Sequence, residues 1–128
     1  MLNQFGAVMT YAIELERGLA DFYNAAAAAL PDHAEALSAR ATASAKRAKK
    51  LQRSRQMDVT EITLEPIEGL DEANYRFDLE THTAANIDAI TATAARFYAE
   101  AAPKINVRES RRLLERCAKD YQNTPSLA

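Results

Sequence analysis

The chain has 128 residues, a formal net charge of −2 and a single cysteine. That length suits one domain with a core needing neither disulfide nor metal, and the near-balanced charge gives no global reason to bind nucleic acid or membrane. One cysteine excludes an internal disulfide and fits a reducing cytoplasm, while three glycines and no tryptophan leave an alanine-rich, helix-favouring chain with no glycine-rich phosphate cradle.

The first predicted helix covers residues 2–29 and stops at Pro31. No basic segment followed by an apolar run marks a signal peptide here, and no stretch of the chain approaches the roughly 18 apolar residues of a membrane span. Met9, Glu16 and Tyr23 recur at intervals of seven, with Phe5, Ala12, Leu19 and Ala26 as the companion row. Together they form an inward seam, with Glu14, Arg17 and Asp21 on the other side. Glu16 is thus a carboxylate in a core position. It needs a metal, a cation or hydrogen bonds.

A second helix is expected over 32–55, opened by a capping box of Asp32 and Glu35. Its inward row is Leu37, Ala41, Ser44, Ala48 and Leu51, with Arg47 beside Ser44. The rest of this helix is basic: Arg40, Lys46, Lys49, Lys50, Arg53 and Arg55. No aromatic residues interleave with these cations as stacking platforms for nucleic acid. The reading is therefore a solvated face, or one balanced by the acidic segment that follows, within the chain or across a dimer.

Residues 56–76 lose helical period and carry Asp58, Glu61, Glu65, Glu68, Asp71 and Glu72. They read as a long, partly extended crossover pinned by Ile62, Leu64, Ile67 and Leu70. A third helix is expected over 77–102, ending at Pro103, with inward rows Ala84, Thr91, Tyr98 and Ile87, Ala94, Ala101. Asn106 and Glu109 have a second capping-box spacing before a fourth helix over 107–122, whose inward row is Val107, Ser110, Leu114, Cys117 and Tyr121. Residues 123–128, with Pro125, read as a frayed tail.

Phe22-Tyr23 and Phe97-Tyr98 each precede a proline and a capping-box spacing, so the chain reads as two copies of a helical hairpin. The expected fold is an all-α four-helix bundle of two antiparallel hairpins joined by one long crossover.

Ala12-Ile13-Glu14-Leu15-Glu16 followed by Phe22-Tyr23 resembles the first helix of the rubrerythrin branch of the ferritin-like superfamily. That resemblance implies a di-iron site with one Glu from each of two helices and a Glu-x-x-His pair from each of the others. Glu16 matches the first ligand. The other ligand positions fall on Ser44, Arg47, Thr91, Leu114 and Cys117, with Tyr23 and Tyr98 lining the site. Arginine stays protonated and cannot ligate, and serine and leucine cannot replace carboxylates. His33 and His82 lie away from the seam and read as exposed surface residues.

The expectation is a degenerate site with no metal, no cofactor and no catalytic residue, in which Glu16 pairs with Arg47. Cys117 reads as a small buried hydrophobe; the alternative is a reactive thiol near Arg47. The functional expectation is a non-catalytic structural or protein-interaction module, a homodimer with an unknown protein partner possible. Two alternatives stand beside it: a di-iron oxidoreductase or iron-binding protein with displaced ligands, and a module binding a small apolar or anionic ligand beside Glu16 and Arg47.

Overall fold

A computed structural model describes residues 1–57 and 65–128. These residues are all-helical, with no strand among them. The four long helices are α1 (Phe5–Ala29), α2 (Ala34–Met57), α3 (Ala84–Ala101) and α4 (Arg108–Gln122). α1 packs along α2, α3 along α4, and α2 meets α4. Tyr11 and Phe97, with ring centroids 4.8 Å apart, join α1 to α3.

The inward rows of α1 and α2 are buried as their periodicity requires. On α1 these are Phe5, Met9, Ala12, Glu16, Leu19, Tyr23 and Ala26; on α2, Leu37, Ala41, Ser44, Ala48 and Leu51. Each large apolar side chain fully removed from water, such as Leu19 or Leu37, contributes roughly 1.5–3 kcal/mol. All four helices feed one hydrophobic core.

Both expected capping boxes are absent. Pro31 opens a 3-10 turn, Pro31–His33, before α2, which puts Asp32 inside the turn; no side chain caps it. Val107 is the N-cap of α4 and offers no side-chain acceptor. Asn106 instead donates through Nδ2 to Glu65 Oε2 at 2.5 Å, tying the crossover to the start of α4.

The third helix starts seven residues later than its periodicity suggests. Asp78 accepts from the backbone N–H groups of Glu80 and Thr81 at 3.0 and 3.2 Å, and Asn86 Nδ2 donates to the carbonyls of Asp78 and Thr81. Such side-chain bonds offer the backbone an alternative to helix. Thr83 is the N-cap, its Oγ1 accepting from Asn86 N at 3.1 Å. The 77–83 segment lies against α1 instead. A Cβ at Gly18 would meet Leu79 at 3.4 Å, and His82 packs on Phe22 with ring centroids 5.3 Å apart. His82 is therefore half-buried rather than exposed, and His33, in the turn before α2, is half-buried as well.

In the crossover, Ile67 and Leu70 are buried, as is Tyr75, whose ring meets the edge of Phe97. Ile62 and Leu64, with Asp58 and Glu61, lie outside the described residues. Gly69 has a φ of 79°, a conformation that favours glycine. Leu2 N donates to Leu70 O and Ile67 N to Asn3 O, joining the crossover to the segment before α1.

The 123–128 tail, expected to fray, is strapped down. Asp88 on α3 accepts from Ser126 Oγ, Leu127 N and Ala128 N at 2.5, 2.8 and 3.1 Å. Arg40 on α2 donates to Pro125 O at 2.7 Å. Among the described residues no helix is long and apolar enough to cross a membrane.

Candidate functional site

Glu16 lies at the centre of the four helices with no exposed surface. Its seam position on α1 forces it there, since Ala12, Leu19 and Tyr23 on the same face are buried with it. Arg47 reaches it from α2, donating through Nε to Glu16 Oε1 at 3.0 Å. Tyr98 on α3 donates its hydroxyl to Oε2 at 2.6 Å. The Tyr121 hydroxyl on α4 lies 2.7 and 2.9 Å from the two carboxylate oxygens. One side chain from each helix thus converges on a single carboxylate.

Arg47 has further partners. Its Nη2 donates to Ser44 Oγ at 3.2 Å and to the Tyr121 hydroxyl at 3.1 Å. Its Nη1 lies 3.5 Å from Asp120 Oδ2, and its guanidinium carbon stands 4.5 Å from the centre of the Tyr121 ring. Burial works against the Arg47 charge, but Tyr121 and Glu16 outweigh it and hold the proton more firmly than usual. Burial, reinforced by the neighbouring Glu16 charge, raises Tyr98 and Tyr121 well above the ordinary phenol range.

The remaining sequence-derived positions take structural roles. Ser44 is fully buried and serves Arg47 as an acceptor. Thr91 donates to its own helix at Ile87 O, 3.0 Å away. Tyr23 is buried on the same face of α1 as Glu16, its phenol raised by burial. Leu114 is an apolar core residue, and Cys117 is a buried thiol pushed up to about 12 by burial and then by the Glu16 charge. That protonation state makes a poor nucleophile.

Periodicity places Tyr121 only on the inward row of its helix, yet it touches both Glu16 and Arg47. Its signal was available: it lies four residues beyond Cys117 on the same face. Matching α4 to the ligand spacing of a di-iron family draws attention to Leu114 and Cys117 instead.

The donor set does not fit a di-metal centre. Among the described residues Glu16 is the only buried carboxylate, and both of its oxygens already accept from N–H or O–H groups. Its nearest charged neighbour is a guanidinium, which would repel a cation. Among the described residues no group of three or more His, Cys, Asp or Glu side chains is arranged to hold a metal ion. No protein-family model, curated protein or solved structure matches the chain.

Proposed function

We propose that the chain is a degenerate ferritin-like bundle, two antiparallel hairpins joined by the crossover, whose central carboxylate holds the helices together instead of holding metal. It acts as a structural or protein-interaction module and self-associates as a homodimer. The observation that carries this reading is the saturation of Glu16 by Arg47, Tyr98 and Tyr121. A carboxylate bridging two metals keeps its lone pairs open to them and attracts cationic ligands. Glu16 is instead satisfied by protein donors from three other helices.

The surface supports work outside the core. On α2, Lys46, Lys49, Lys50 and Arg53 are exposed, whereas Glu65 and Glu68 of the crossover are exposed and acidic. Opposite charges on different parts of one chain favour complementary association.

Expression in iron-supplemented cells, followed by desalting and metal analysis, tests the chemical half of the reading. No iron retained per chain is expected; about two irons per chain, the stoichiometry of a di-iron site, would overturn it. Light scattering on the same sample tests the assembly, with twice the 14.1 kDa chain mass expected. A monomer at micromolar concentration would remove the homodimer.

A further inference from the structure

Beside the central cluster, the junction of α2 and α4 opens into a cleft of about 300 Å³ lined by Lys50, Arg53, Met57, Glu109, Leu113 and Arg116. We propose that this cleft binds a small amphipathic anion, with a carboxylate, sulfate or phosphate head and a short apolar tail. The volume is at the lower end of the range typical of ligand sites.

Charge selects the head. Among the described lining residues three cations face one acid, Glu109, and Lys50, Arg53 and Arg116 make no ion pair with another described residue. The contrast with Arg47 on the same helix is direct, because Arg47 is fully engaged by Glu16, Ser44, Tyr121 and Asp120.

Shape and apolar surface select the tail. Leu113 lines the cleft from within the core, and Met57, 75% exposed, stands at its edge. An unbranched methionine can repack around an alkyl or aryl group. An inorganic anion would leave both side chains unused, and an uncharged apolar ligand would leave the three cations unused. The helices are fixed beside the cleft by Ser54 and Ser110, whose hydroxyl oxygens are 2.7 Å apart. A ligand would therefore meet a site largely formed in advance.

Amide chemical-shift titration of the native protein with octanoate, octanol and inorganic phosphate tests this. Octanoate should give saturable shifts confined to 50–57 and 109–116. Octanol and phosphate should each bind at least about 10-fold more weakly, the worth of one lost charge-assisted contact or of the buried tail. Arg53→Gln and Arg116→Gln should each weaken octanoate about 10-fold on the same grounds. Arg55→Gln, on the α1 side of α2, should bind as the parent does. Unchanged melting temperatures would show that these variants fold. Shifts scattered over the surface, phosphate or octanol binding as tightly as octanoate, or full affinity in the glutamine variants would each overturn the proposal.

Discussion

Tyr98 and Tyr121 lie with their ring centroids 5.8 Å apart and their planes 9° from parallel, and both hydroxyls point at the Glu16 carboxylate. Two helices thus present one flat aromatic pair, with its polar edge turned toward a single anion. Arg47 closes the arrangement from the side of Tyr121, donating to the hydroxyl as well as to the carboxylate.

Removing Arg47 should be far more damaging than removing an exposed neighbour. Arg47→Met leaves Glu16 buried without its cation and should lower unfolding free energy by about 3–5 kcal/mol. Arg53→Ala should stay within about 0.5 kcal/mol, as surface changes usually do. Urea unfolding of both variants makes the comparison, and equal midpoints would contradict the role given to Arg47. Adding Glu16→Leu to Arg47→Met should recover part of the loss, since no lone charge then remains in the core.

The tyrosines predict an alkaline limit. Tyr98→Phe and Tyr121→Phe each remove a hydrogen bond to a charged group and should cost roughly 1.5–3 kcal/mol. In the native protein both phenols are raised above their ordinary value of 10.0, by burial and then by Glu16. The folded state therefore keeps protons that the unfolded chain gives up near pH 10. Their contribution is intact below that pH and declines as pH rises above it. Chemical denaturation across the alkaline range should show stability falling from about pH 10 upward, with a shallower fall in the Tyr98→Phe/Tyr121→Phe variant. Stability that is flat to pH 12 in the parent would count against the assignment.

Cys117 should resist alkylation. Its thiol, held up to about 12, is almost wholly protonated at pH 8, and it is buried. Iodoacetamide should label it slowly in the native state and rapidly in urea. Fast native labelling at pH 8 would show an accessible thiolate and reverse the reading of Cys117 as a packing residue.

Asp88 should release the tail as it takes up a proton. Its carboxyl is held below the ordinary 3.8 by the Ser126 hydroxyl first and then by the Leu127 and Ala128 amides. A depressed value means the tether is present above 3.8 and lost as pH falls through the folded value. Heteronuclear relaxation should report 123–128 as ordered at neutral pH in the parent and mobile in Asp88→Ala. An unchanged tail in the variant would assign the strap to Arg40 and Pro125 alone.

The helical seams were legible because burial follows a period that the sequence displays directly. Glu16 and Arg47 stood out as charges on or beside small-residue faces, and geometry brings them to 3.0 Å. Tyr121 was harder to place because a tyrosine on an apolar face has no oddity to announce it. The late start of α3 depends on Asp78, Thr83 and Asn86 bonding to nearby backbone, a local competition that apolar periodicity does not register. The tail was illegible for a different reason. Ser126 and Asp88 are 38 residues apart, and only the folded arrangement of α3 and α4 brings them within reach.

The convergence of α1, α2, α3 and α4 on Glu16 also bears on how the molecule comes apart. If α1 or α2 peeled away alone it would leave Arg47 or Glu16 without its counter-charge, and if α3 or α4 did so it would strip a phenol donor from Glu16, so each partial opening carries a penalty at the same carboxylate. The slowest-exchanging amides near Glu16, Arg47, Tyr98 and Tyr121 should therefore share one opening free energy. In such a protein, cooperativity is set at one carboxylate rather than spread along the helix interfaces.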